Sequence, residues 1–286
     1  MTTTIAQRAA AQQHAILRRP VAPPAPNPVP PVPIDPTRMV YGVDSSNYAA
    51  YDFTDEQLAV WANAGVGLVI EQVIDPPAGY PRSRTRQHIG ACLSFGMPIA
   101  AYSFWWAGAG ITYLKRHLNL LDGFENRLVR AWNDIEDTTV ARFGGPAGAV
   151  LTQPLPAEHL QRIARQAKPE RDHDRVHKLT MSLSGLQDDI AAWNEVLDAY
   201  PTRQPETGIY SGPWYDRSYV DLSPFAARPW WSSQYDGVAD PYQVIVWGGH
   251  KRPATIKQHI GTSSLRGYGG IDQNIVSPQE TALLAA

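Results

Sequence analysis

The stretch GVGLVIEQVIDPPAGYPRSRTRQHIGACLSFGMPIAAYSF, residues 65–104, decides the fold. GLVIEQVI is rich in β-branched residues and reads as a strand. RSRTRQHIGACLSFG reads as a helix, and MPIAAYSF as a second strand. Strand, helix and strand at this rhythm predict a βαβ unit, and hence a parallel sheet.

The same rhythm extends outward. Upstream, MVYGVD (39–44) reads as a strand, and Thr54 is placed to cap a helix through TDEQLAVWANAG. Asp55 and Glu56 fall in the first turn of that helix and Gly65 at its end. Downstream, ITYLKRHLNLLDG (111–123) reads as helix and RLVRAWNDIED (127–137) as strand. A helix is expected over 186–200, with shorter strands at GIYSG, RPWWSSQYD, ATIKQHIG and GGIDQNIV. These segments predict an α/β, TIM-type barrel of eight strands with fewer than eight helices.

Composition excludes several classes. The chain has 286 residues, 25 Lys plus Arg against 27 Asp plus Glu, and a formal charge of −2. With a pI near 6.4, it lacks the basic excess of a general nucleic-acid binder. One cysteine, Cys92, rules out a disulfide scaffold, and this thiol is expected to be a buried helix residue. No apolar run approaches the roughly 20 residues that span a bilayer. Arg8, Gln12, Gln13 and His14 interrupt the apolar stretch a signal peptide needs, so none is expected.

Prolines mark a boundary. Nine of them fall in the 17 residues from Pro20 to Pro36. Such a stretch favours an extended polyproline II arm over a packed element. Ahead of it, residues 2–19 suit one short helix, marginal on its own. The division expected is an arm over 1–38 and a barrel over 39–286, the latter close to the roughly 250 residues typical of the fold.

The sharpest chemical signal is Asp134-Ile135-Glu136. Residues i and i+2 of a strand share a face, so the two carboxylates project together. The C-terminal strand ends of a barrel carry its chemistry. Neighbouring carboxylates raise each other's proton affinity, which can keep one protonated as a general acid. Two solvated acids, or an ion pair with Arg130 or Arg142, would give the same pattern. Asp44 ends the first strand and Asp272 lies in the last. Four carboxylates at strand ends of one barrel would converge on one pocket.

The ordered set resembles glycoside hydrolase family 25, the lysozyme-type muramidases common in bacteriophages and bacteria. The resemblance runs from about Tyr41 to Val276. It rests on GVDSSNY with Asp44, WANAGVGLVIEQV, GMPIAAYSFWW with Tyr102, WNDIED with Asp134 and Glu136, GIYSGPW with Tyr210, IKQHIG with Gln258, and GGIDQN with Asp272. It implies that Glu136 is the catalytic acid assisted by Asp134. The implied reaction is hydrolysis of the β-1,4 bond between N-acetylmuramic acid and N-acetylglucosamine in peptidoglycan, with no cofactor and no metal. An acid across the sugar, or the substrate's own acetamido group, would stabilise the oxocarbenium-like state. Lys257, His259, Ser103 and Glu71 depart from the family pattern. They are expected to remove sugar-stacking surface and add charge.

Trp105, Trp214 and Trp231 follow or lie in strands, where rings could stack on sugars or simply pack in the core. One of Trp230 and Trp231 must point away from the pocket. His173 and His177, four apart among charged residues, invite a metal reading, although a solvated insertion fits the charge run better. The resemblance implies a phage lysin, in the virion tail or the host cytoplasm before release to the wall. Residues 1–38 would then dock on other tail proteins. The competing expectation is a tail attachment protein whose barrel binds wall glycan without turnover.

Overall fold

The computed structural model describes residues 40–45, 52–75, 80–81, 84–107, 111–136, 183–218, 220–247, 250–265 and 268–285. The proline arm and the His173/His177 segment lie outside these residues.

Eight strands close into a barrel: β1 (Val40–Ser45), β2 (Val66–Asp75), β4 (Ile99–Phe104), β5 (Ala131–Asp134), β6 (Gly208–Ser211), β7 (Trp230–Ser233), β10 (Ile256–Leu265) and β11 (Tyr268–Val276). A short strand β3 (Tyr80–Pro81) adds to β2, and β8 (Val244–Trp247) pairs with β9 (His250–Pro253) in a separate ribbon. Six α-helices occur among the described residues: α1 (Asp55–Asn63), α2 (Thr85–Phe95), α3 (Ile111–Leu118), α4 (Leu183–Asp198), α5 (Pro213–Ser218) and α6 (Pro278–Ala285). The expected eight-stranded barrel is the observed one, with these six helices among the described residues.

Local chemistry explains the elements. Thr54 caps α1 by accepting a hydrogen bond from the Gln57 amide at 3.2 Å. Gly96 ends α2 at φ +82°, a left-handed conformation that costs glycine nothing.

The sheet is not wholly parallel, contrary to the expectation. Strands β1, β2, β4, β5, β6, β7 and β10 run parallel, but β11 is antiparallel to both β10 and β1. The cause is the connection. Only residues 266–267 separate β10 from β11. Two residues are too few for a parallel return, which needs a crossover of a dozen residues or more.

Period-two alternation sorts the side chains into two cores. Leu68, Ile70, Tyr102, Trp132, Trp231 and Ile256 fill the barrel interior. Trp61, Ile89, Cys92, Trp193 and Trp230 pack between the sheet and its helices. Trp230 and Trp231 thus take opposite faces, and Trp230 stacks on Trp247 with centroids 5.0 Å apart. Leu284 of α6 joins the interior core with Val40 and Val276, closing the end opposite the carboxylates. There Arg130 makes a two-pronged ion pair with Glu280, both contacts at 3.1 Å.

Candidate active site

Asp44, Asp134 and Asp272 come from β1, β5 and β11, and Glu136 lies two residues beyond Asp134. Asp44 and Asp272 sit opposite one another in the β1–β11 register. Asp272 reaches the common rim because its strand runs backwards, not because a parallel strand ends there. Asp134 and Glu136 share a face as their spacing predicts, while Ile135 turns outward into the helix-facing core.

One amide organises the cluster. The Gln258 Nε2 donates to Asp272 Oδ2 at 2.6 Å and to Asp44 Oδ2 at 3.1 Å. Its Oε1 accepts from the Tyr210 hydroxyl at 2.5 Å and the Tyr235 hydroxyl at 3.1 Å. Carboxylates only accept when ionised, so the amide nitrogen has to face them, and the two hydroxyls hold the oxygen away. Asn274 Nδ2 also donates to Asp44 Oδ2, at 2.8 Å, and the Trp231 indole fixes Asn274 in turn, at 2.8 Å. Ser233 Oγ donates to Glu136 Oε1 at 3.2 Å.

Among the described residues, no Lys, Arg or His pairs with Asp44, Asp134 or Glu136. Arg130 instead serves Glu280, so the ion pair offered as an alternative for the Asp-x-Glu pair is not formed with it. Protons have to relieve the charge. Burial pushes Asp44 well above the usual carboxylate range, and the charge of Asp272 adds to it, against the bonds from Asn274 and Gln258. Burial, then the charges of Glu136 and Asp44, likewise raise Asp134. Its Oδ1 is buried with no hydrogen-bond partner among the described residues. Glu136 is lifted by burial to about 7, the Ser233 bond opposing and the Asp272 charge adding. The raising charge at Glu136 is thus Asp272. Asp134 feels the charges of Glu136 and Asp44 instead.

The aromatic residues divide. Tyr102, Tyr210 and Trp231 are buried floor: Trp231 lies 4.4 Å from the Tyr210 ring and 5.8 Å from that of Tyr102, centre to centre. Trp105 is fully buried and donates its Nε1 to Asp189 of α4 at 3.1 Å, so it offers no face to a sugar. Trp214 is 43% exposed. Its indole lies over Gly212, where an added Cβ would sit 2.1 Å from Nε1 and 2.8 Å from the Ser233 Oγ. That absence of a side chain brings Trp214 beside the Glu136 partner.

Two departures from the family pattern turn out not to charge the pocket. Glu71 faces the helices, accepting from Ser45 Oγ at 2.8 Å and sitting 3.1 Å from His88 Nδ1. Lys257 points away from the barrel interior to Asp236. Asn274 and Ser233 are site residues that motif reading passes over. Both were findable, since each lies two residues from a named one, Asp272 and Trp231, on the same face. No metal-binding group of three or more His, Cys, Asp or Glu occurs among the described residues.

No family model matches the chain, and no curated protein matches its sequence. Solved structures do. A bacterial lysozyme from Streptomyces coelicolor superposes with a TM-score of 0.56 at 18% identity, over 87% of this chain and 98% of that one. The spore cortex lytic enzyme SleM of Clostridium perfringens also gives 0.56, at 14% identity, over 84% of this chain and 68% of that one. A family 25 glycosyl hydrolase from Bacillus anthracis gives 0.52 at 12% identity, over 83% and 88%. At such identities the likeness is one of fold: this chain has the barrel found in that lysozyme, in that lytic enzyme and in that family 25 hydrolase.

Proposed function

We propose that the protein is a glycoside hydrolase of the muramidase type, cutting the β-1,4 bond between N-acetylmuramic acid and N-acetylglucosamine in peptidoglycan. The observation that carries this reading is Glu136 held at about 7 at the edge of a four-carboxylate cluster. A carboxyl group with that proton affinity holds a proton at neutral pH and can still release it, as a general acid requires. In the proposed mechanism Glu136 protonates the leaving glycosidic oxygen. Asp272, held beside Asp44 by Gln258, supplies negative charge that stabilises the oxocarbenium-like state as it forms. Asp134, raised by burial and by the charge of Glu136, orients the substrate or Glu136. Trp214 offers an exposed ring beside Glu136 for a sugar face. The barrel shared with lysozymes and a family 25 hydrolase supports this reading. The sequence resemblance alone supports a phage origin, with residues 1–38 as a docking arm on a tail.

Clearing of purified bacterial cell walls tests the proposal. Wild type is expected to clear them, and Glu136→Gln to lose activity by roughly a hundred- to ten-thousand-fold while staying folded. Glu136 is protonated below its midpoint, so the rate should fall as pH rises through about 7. A wild type that binds walls but never clears them would favour a glycan-attachment role instead.

A further inference from the structure

Lys257 and Gln258 are neighbours on β10 and face opposite ways. Gln258 turns into the carboxylate cluster. Lys257 turns outward, yet its side chain is only 2% exposed. Its Nζ donates to Asp236 Oδ1 at 2.7 Å, to the Val238 carbonyl at 2.7 Å, and to Gln243 Oε1. An ammonium has three donors, and residues 234–243, the connection between β7 and β8, take all three. Asp236 gathers the rest of this loop, accepting from the Val238 amide at 2.9 Å, from Gln234 Nε2 at 2.9 Å and from Gln243 Nε2 at 3.0 Å. Burial alone would raise this carboxyl, but Lys257 and the other donors hold it below the usual range. The loop is thus wound around one buried cation.

Its backbone is also tied to β10, through the Gln234 amide to Gln258 O at 2.9 Å and the Gly237 amide to His259 O at 3.0 Å. Tyr235 is the loop side chain that reaches the cluster. Its ring rests against Gly261, where a Cβ would approach to 3.0 Å. Its hydroxyl donates to Gln258 Oε1, the atom whose placement decides which end of the amide faces Asp44 and Asp272. Tyr210 donates to the same oxygen from a barrel strand. Tyr235 does so from a connecting loop, whose shape depends on the clamp beneath it.

We propose that Lys257 is a positioning residue: by locking residues 234–243 it keeps the Tyr235 hydroxyl on Gln258, and so keeps the Gln258 amide nitrogen on Asp44 and Asp272. The inference rests on the carboxylate cluster being the reacting site.

A double-mutant cycle on the full chain tests it, with Lys257→Met, Tyr235→Phe and the double variant. Each single change should lower kcat on peptidoglycan roughly three- to tenfold, the scale of one ordinary hydrogen bond, with little change in KM. The double variant should be no worse than the weaker single, because both cut one link. The side-chain amide resonances of Gln258 should move alike in both single variants. Losses that multiply in the double variant, or a Gln258 amide unchanged in Lys257→Met, would overturn the proposal. Asp236→Asn, which keeps an acceptor for Lys257 but removes the charge, should shift the same resonances by less and serves if Lys257→Met does not fold. A wild type without hydrolysis would defeat the functional reading alone, since the amide resonances still decide the part played by Lys257.

Discussion

Replacing Glu136 by Gln should stabilise the protein, by an amount that grows as pH rises from about 4.5 to about 7. Burial lifts this carboxyl from its ordinary 4.5 to about 7. A group raised on folding binds its proton more tightly in the folded state. The stability this contributes is fully present below about 4.5 and is lost progressively as pH rises through 7. At roughly 1.4 kcal/mol for each tenfold change in proton affinity, the loss by pH 8 is about 3 kcal/mol. Gln matches the protonated form in shape, and its Oε1 still accepts from Ser233. The variant should therefore melt close to wild type at pH 4.5, and about 6–12 °C above it at pH 8, taking roughly 2–4 °C per kcal/mol. Thermal unfolding across pH 4.5–8.5, followed by circular dichroism, reads this directly and needs no substrate. A melting difference that stays constant over that range would mean Glu136 titrates normally, and the acid assigned to the reaction would be lost with it.

Other perturbations separate parts of the molecule. Arg130→Met should destabilise by about 3–5 kcal/mol, because it strands a buried Glu280; adding Glu280→Leu should recover most of that in a thermal melt. Gly208→Ala should cost about 1–3 kcal/mol or more from overpacking, since the new Cβ would lie 2.2 Å from the ring of buried Trp132, and an unchanged melting temperature would contradict the packing described. Trp214→Ala should raise KM for peptidoglycan about three- to tenfold through lost ring contact, whereas Trp105→Phe should lower the melting temperature and leave KM alone.

Much of this architecture follows from two periodicities. The βαβ rhythm over residues 65–104 predicts the parallel part of the barrel. Period two alone places Asp134 with Glu136 and separates Trp230 from Trp231. The same rule, applied to IKQHIG, would have turned Lys257 and His259 away from Gln258. Reversal of β11 was signalled only by the shortness of its connection, a feature easy to overlook in a chain of repeating crossovers. The fates of Trp105 and Trp214 were not legible. Each follows a strand end, and what separates them is tertiary: Asp189 arrives from α4 to bind one indole, while the other rests on a glycine at the surface. The clamp at Lys257 was equally hidden, because its partners come from a connecting loop with no periodic pattern.

The reversed strand has a consequence for how the protein is made. Asp44 lies on the first strand of the barrel, and the side chain that fixes it, Asn274, is 230 residues further along the chain. Contacts that distant form late, after the loop between them has been closed. During synthesis, domains begin folding from the N-terminal side. The strands through β7 can therefore assemble on a translating ribosome while the carboxylate cluster still lacks Gln258, Asp272 and Asn274. A nascent chain halted before Tyr268 would hold Glu136 without the neighbouring charge of Asp272. The carboxylate cluster is thus completed only once β11 has been made and has paired with β1 and β10.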